Sequence, residues 1–391
     1  MQLLLLHLVI ACGIMLLGRP PATCLFLYTA LLTSSPGTAA QECASRENYT
    51  VRTQDEVNTL TRNCTEIVGE LGLVDWSGSL TLPNITRVGT ITLYSGDVSS
   101  VDLPELEYFG GNLILTDLPS LSRVSLPKLE YIEGLFLDLV GDTPELQIPK
   151  LANASSVHLR GNFSTQSFDS LQNIEKLFDI CNGFSCGFYS RMDTSTSMSL
   201  SFPVLERAGS FKVGGNVTAL STPEITAITC DNEECDWAAL HLRLYGSSPI
   251  AVNFPKLSAM EGNFYIRGDI DSISLPALRD YTHEFIAVPY EPLNITLPVE
   301  TGDKFLFSGN VSEINLPNLK SFSRIHVNSD LKIDCDELWD DIKRTSGPLN
   351  ESNATEYFQC SIGVSVAYSG VLRVGSLVAV AVLGMVVGGL V

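Results

Sequence analysis

The chain has 391 residues, with 24 Lys and Arg against 44 Asp and Glu, a formal net charge of −20 at pH 7. Phosphate recognition requires clustered cations, and no basic run occurs anywhere, so nucleic acid is excluded as a partner. Ten cysteines and repeated N-glycosylation sequons point instead to an oxidising, secretory environment.

Residues 1–40 hold two apolar runs, LLLLHLVIACGIMLLG and CLFLYTALL, followed by the small-residue stretch GTAA ending at Ala40. They read as a secretory signal peptide, starting at Met1 or, more tidily, at Met15, which leaves Arg19 before an apolar region from Cys24 to Leu32. A membrane-retained N-terminus is the rival reading. Cys43 and Cys64 then flank a pre-repeat segment, in which residues 53–63 (TQDEVNTLTRN) have the spacing of a short amphipathic helix.

From there a phrase recurs. LPELEYFGGNLIL from Leu103, SLPKLEYIEGLFLDL from Ser125, FPVLERAGSFKV from Phe202, FPKLSAMEGNFYI from Phe254 and LPNLKSFSRIHV from Leu316 align on their Pro residues. Pro83, Pro104, Pro127 and Pro149 are 21, 23 and 22 residues apart, and Pro255, Pro276, Pro298 and Pro317 are 21, 22 and 19 apart. A fixed period of this size marks a solenoid. Upstream of the anchors stand Gly96-Asp97-Val98, Gly215-Asn216-Val217, Gly268-Asp269-Ile270 and Gly309-Asn310-Val311, a turn needing positive φ followed by a strand start. Apolar residues alternate after the anchor, as in Ile91/Leu93, Leu113/Leu115, Val157/Leu159, Phe211/Val213, Phe264/Ile266 and Phe305/Phe307. Period two predicts strands, and each repeat becomes one coil of a mainly β, right-handed parallel β-helix or leucine-rich-like solenoid, in one lobe or two. In the phrase from Ser125 the apolar set is Leu135, Leu137 and Leu139, which predicts a register slip of one residue.

Two interruptions break the period, at Pro149 to Pro203 and Pro223 to Pro255. The first has helical spacing at Phe168, Leu171, Ile174 and Leu177 before Cys181 and Cys186. The second holds CDNEECDWAALHLRLYG, including Cys230 and Cys235. Both read either as loops carrying a binding face or as the joint between lobes. Residues 336–344 (DELWDDIKR) predict a C-terminal capping helix between Cys335 and Cys360. The last segment, LVAVAVLGMVVGGLV, is apolar to its end without a basic flank. It fits a glycosylphosphatidylinositol (GPI) attachment signal, with Ser361, Gly363 or Ser365 as attachment residue, better than a single membrane span.

With Cys12 and Cys24 lost in the signal, eight cysteines remain, and their spacing predicts local bridges Cys43–Cys64, Cys181–Cys186, Cys230–Cys235 and Cys335–Cys360. Zinc is the rival for the close pairs, yet neither is C-x-x-C and no histidine adjoins them. N-glycosylation sequons fall at Asn48, Asn63, Asn84, Asn153, Asn162, Asn216, Asn294, Asn310, Asn350 and Asn353, with Cys64 in the middle of the Asn63 site. Asp334, Asp336, Glu337, Asp340 and Asp341 lack EF-hand spacing and read as a solvated face rather than a calcium site.

The ordered combination of Cys43/Cys64 cap, L-P-x-L-x-x-Φ repeats (Φ apolar), Cys335/Cys360 cap and lipid-anchor tail resembles the fungal Ecm33/Sps2 family of cell-surface glycoproteins. Its repeats look like the receptor L domains of the insulin and epidermal growth factor receptors. The resemblance covers residues 43–391. It implies a receptor L-domain-like solenoid with disulfide-linked helical caps and a role in cell-wall organisation and integrity, with no enzymatic activity assigned and no agreed ligand, and the residues themselves point to no cofactor or metal. The long Ser/Thr-rich stretch many members carry before the anchor is missing, which favours retention at the plasma membrane over transfer to the wall. The expected division is signal peptide 1–40, first repeats with their cap 41–164, insertion 165–200, second repeats 201–334, cap 335–360 and attachment signal 361–391. The expected partners are wall polysaccharide or wall proteins, and the membrane through the lipid.

Two other classes compete. Parallel β-helices host hydrolases and lyases acting on polysaccharides, which need clustered carboxylates. Asp97 and Asp269 occupy equivalent turn positions, but Asn216 and Asn310 fill the same slot, as a turn requirement predicts, so no catalytic residue is assigned. A receptor-like lobe would need a partner to transmit its signal. Arg267-Gly268-Asp269 spells an adhesion tripeptide but falls on the repeat's own turn. His158, His241, His283 and His326 show no ligand spacing; Trp76, Trp237 and Trp339 are candidates for sugar stacking, with Trp339 expected rather to pack the C-terminal cap and Trp237 to be exposed in an insertion.

Overall fold

The computed structural model describes residues 42–43, 48–62, 64–142, 144–164, 166–182, 196–229, 238–246, 248–346 and 357–363. The expected signal peptide and attachment tail, Asn63, Asn350, Asn353, Ser365, Cys186, Cys230, Cys235 and Trp237 lie outside them, as do the side chains of Cys43 and Leu139.

Each anchor is a turn. The amide of Leu106 donates to the carbonyl of Leu103, Leu129 to Leu126, Leu151 to Ile148, Leu257 to Phe254, Leu278 to Leu275 and Leu319 to Leu316, at 3.2–3.4 Å. Proline sets φ for the second turn position, and the apolar residues at both ends of the turn point into the core and are buried. The chain then enters a long strand, turns at the Gly-Asp/Asn corner, and runs back through a short strand to the next anchor. The long strands form one 17-stranded sheet, and the short strands form narrower sheets of four, three, two and two strands. The strand pairings are parallel, and the coils stack as a β-solenoid of about 11 turns.

In-register stacking makes the core. Ile91, Leu113, Leu135, Val157, Phe178, Phe211, Leu240, Phe264, Phe285, Phe305 and Ile325 lie one above another across successive rungs, none more than 1% exposed. Leu135 and Leu137 stand over Leu113 and Leu115, so the expected register slip does not occur. A bulge between anchor and core pair absorbs length differences instead: the Tyr108–Leu118 rung spends one residue more there than its neighbours. A true slip would have turned every core side chain to solvent.

Residues 168–177 of the first interruption are not helical. Phe168 to Leu171 is another anchor turn, with Asp169 in the proline's place and a Leu171 to Phe168 amide–carbonyl bond of 3.3 Å, and Asn173–Asn182 is a long strand. Both i,i+3 helical spacing and the anchor turn place apolar residues three apart, which is why the two look alike in sequence. Phe168 stacks on Phe202 at 5.0 Å and Phe178 on Phe211 at 5.2 Å, inside the core. The second interruption likewise holds a rung, Ala227–Ile228 and Ala238–Leu244, split at the bulge position. The large sheet runs through both.

At the Gly-Asp/Asn corner the preceding coil comes close. A Cβ on Gly268 (φ 125°) would sit 1.7 Å from the carbonyl oxygen of Leu244. Gly78 also has positive φ, 82°, but faces open space. Gly268→Ala is expected to cost about 3 kcal/mol or more and Gly78→Ala about 1 kcal/mol, read from denaturant midpoints.

Both ends are closed. Helix α1 (Gln54–Thr61), N-capped by Thr53, buries Val57, and the Gln54 carboxamide pairs with the backbone of Thr81: Nε2 donates to the carbonyl at 2.8 Å and Oε1 accepts from the amide at 3.0 Å. Thr81 ends the edge strand of the four-stranded sheet, so one side chain stands in for a missing neighbour strand. At the other end helix α2 (Cys335–Ser346) buries Leu338 and Ile342, and the Cys335–Cys360 disulfide ties it to the last rung, Phe358–Ile362. Gln54→Ala is expected to cost about 1–2 kcal/mol and to speed hydrogen exchange at the Thr81 amide while leaving Val124 unchanged.

Candidate functional site

The outer face of the large sheet gathers the polar and aromatic side chains, because period two sends alternate residues of every rung outward and parallel register stacks them into columns. One column, next to the anchors, begins with Arg87 over the Tyr108 ring at 4.6 Å. Tyr108 stacks on Tyr131 with centroids 4.9 Å apart and planes 13° apart, and Tyr131 is in register with Asn153. Asn173 Nδ2 donates to Asn153 Oδ1 at 3.0 Å. A groove of about 620 Å³ opens along this column between Glu107, Glu130, Lys150 and Ser170. Burial, together with the Glu133 carboxylate that accepts its proton at 2.8 Å, raises the Tyr131 phenol well above its usual range.

A second column runs Phe136, His158, Asp179, Lys212, His241 and Tyr265 across consecutive rungs. His158 Nδ1 lies 3.2 Å from Asp179 Oδ2, and Arg160 lies 3.4 Å from the same oxygen. Burial alone would raise the Asp179 carboxyl, but the His158 hydrogen bond and the charges of His158, Arg160 and Lys212 outweigh it and hold it below the ordinary carboxylate value. Beside this column Arg243 and Arg267 are register partners, and Arg267 Nε donates to Tyr290 Oη at 2.7 Å. In a chain of net charge −20, Arg160, Lys212, Arg243 and Arg267 thus share one stretch of wall. His158 and His241, far apart in sequence, belong to one column; only the register reveals it.

The remaining sequence candidates take structural places. Asp97 and Asp269 do not converge: seven rungs separate their corners, roughly 33 Å at about 4.8 Å per rung, against the ~5–9.5 Å between paired glycosidase carboxylates. Asp269 Oδ2 accepts from the Gly246 amide at 3.0 Å, and Arg267 is held by Tyr290, so the adhesion tripeptide serves its own corner. Trp76 is 2% exposed and offers no sugar platform, and Trp339 stacks on Phe358 at 4.9 Å in the C-terminal cap. Asp334 caps helix α2 by accepting from the Glu337 amide, while Asp340 and Asp341 pair with Lys343 and Arg344. Asp336 and Glu337 lie in that helix's first turn, where its dipole favours acids. Among the described residues no three His, Cys, Asp or Glu side chains converge as metal ligands. His283 is 6.3 Å from Tyr281, and burial with Arg324 nearby lowers His326.

Cys64 and Cys181 are both disulfide-bonded. Of the sequons, Asn48, Asn84 and Asn294 are exposed, whereas Asn153, Asn162, Asn216 and Asn310 are half-buried. Asn310 Nδ2 donates to the Tyr290 carbonyl. Ser361 belongs to the last rung, bonded to Asn328 at 3.1 Å, and Gly363 follows it. Cleavage after Ser361 would remove Ile362, the register partner of Ser329.

Fold and surface define a capped parallel β-solenoid whose long outer wall carries ordered columns of side chains. Its similarity to a curated protein is distant. The chain is 27% identical over 239 residues to Sporulation-specific protein 22 of Saccharomyces cerevisiae (strain ATCC 204508 / S288c), a match covering 59% of this chain and 47% of that protein. The chain therefore spans about half the length of the curated relative it matches. No family model and no solved structure matches.

The depressed Asp179 carboxyl stabilises the fold at pH above the unfolded value of about 4, and that contribution is lost as pH falls through the lower folded value. Asp179→Asn is expected to cost about 1–2 kcal/mol at pH 7, with the gap to the parent closing below pH ~4 in thermal melts.

Proposed function

We propose that this protein is a GPI-anchored, N-glycosylated surface protein that contributes to fungal cell-wall organisation by binding or spacing wall polymer, without chemistry. One observation carries the reading: a parallel outer wall of about 11 turns, roughly 50 Å long at about 4.8 Å per rung, whose repeat suits an extended polymer better than a small molecule. Tyr94, 59% exposed, and Tyr290, 36% exposed, stand on this wall and its corner as surfaces for sugar rings. The distant similarity to a yeast sporulation protein supports a fungal setting. The lipid anchor rests on the apolar C-terminal segment and the plasma-membrane location rests on the anchor.

The test is co-sedimentation of the purified protein with insoluble glucan, chitin and mannan, with new reducing ends assayed in the same tubes. Binding without release is expected. Tyr94→Ala and Tyr290→Ala should each weaken it by about three- to tenfold, the loss of one aromatic contact. Sugar release by the parent would make the protein an enzyme, and no binding to any polymer would shift the partner to a wall protein.

A further inference from the structure

The amide column ends in an unusual way at Asn153. Its Oδ1 accepts from Asn173, so the carboxamide is turned with oxygen toward the next rung and Nδ2 toward the previous one. Its register partner Tyr131 stands on that side, Asn153 itself lines the groove, and Nδ2 makes no hydrogen bond among the described residues. Nδ2 is the atom that an N-linked glycan occupies, and Asn153-Ala154-Ser155 is a sequon.

Ser155 supplies a second, independent observation. It is 1% exposed, and its Oγ has no hydrogen-bond partner among the described residues. The same bulge position holds Gly89, Glu133 and Gly209 in other rungs, so the coil does not require a hydroxyl there. A buried hydroxyl without a partner destabilises the fold. Its use lies before folding, when the glycosyl transferase reads the sequon on an extended chain.

We propose that Asn153 carries an N-linked glycan whose first sugar lies in the groove, across the edges of Tyr131 and Tyr108 and between the rims formed by Glu107, Glu130 and Lys150. At about 620 Å³ the groove falls within the ~300–1,000 Å³ that accommodates compact ligands. The glycan covers an aromatic stack that would otherwise meet solvent on its outer edge, and it makes this groove part of the protein's own surface. Asn84 and Asn294 differ, being exposed and outside the lining of this groove. The inference rests on the chain entering the secretory pathway.

The full chain, produced in a glycosylating eukaryotic host, is analysed by glycopeptide mass spectrometry during digestion of the native protein with an endoglycosidase. Asn153 is expected to be occupied, and its glycan to be released about tenfold more slowly than those at Asn84 and Asn294, a ratio that one or two hydrogen bonds supply. Tyr131→Ala should bring release at Asn153 up to the rate at Asn84. Ser155→Ala removes the glycan without touching the amide column, and after complete deglycosylation its melting point should equal or exceed the parent's. An empty Asn153 beside occupied Asn84 and Asn294 overturns the inference, as does equal release at all three sites. Protection of Asn153 peptides by added glucan oligosaccharide in an unglycosylated groove would assign the groove to external polysaccharide instead. If none of the three sites is occupied, the secretory reading fails and this inference with it.

Discussion

Parallel in-register stacking is the constraint on which everything else in this protein depends. A single coil of some twenty residues buries too little apolar surface to stand alone, so each rung is stable only against its neighbours. That requirement forces identical positions in successive repeats to be apolar, and the column from Ile91 to Ile325 is the result. It also makes the ends the weak points. The Gln54 carboxamide closes one by imitating a strand, and the Cys335–Cys360 disulfide holds the last rung and helix α2 together at the other.

The same stacking turns scattered surface residues into arrays. His158, Asp179, Lys212 and His241 are 21 to 33 residues apart in sequence yet follow one another at the rung spacing. A cation-rich stretch forms in an acidic chain because the register, not sequence proximity, decides which side chains meet. The outer wall repeats over about 11 turns, while the groove beside Tyr108 and Tyr131 is local and adjacent to a sequon. Wall and groove therefore differ in scale, one a long repeating surface and the other a local recess beside a sequon.

The period and the Gly-Asp/Asn corners were legible from residue order, since Gly at a corner of close approach is a demand of local geometry, while the turn at each proline anchor appeared only in the structure. The expected caps at residues 53–63 and 336–344 are helices α1 and α2. Phe168 to Leu177 was misread because an anchor turn and a helix share a three-residue spacing, and without its proline the turn lost its most visible mark. The predicted slip around Leu135 failed because residue order does not show a bulge that absorbs one residue.

What the sequence by itself determined is the repeat, hence a parallel β-solenoid with closed ends, because stacking apolar columns leaves a periodic trace in any chain that obeys it. What only the tertiary structure decided is which distant residues share a column: that Asp97 and Asp269 stand seven rungs apart, that His158 meets Asp179, and that Asn153 lines a groove with Tyr108 and Tyr131. Those relations depend on rung register and bulge length, which sum small local choices over many coils and are fixed only when the coils pack.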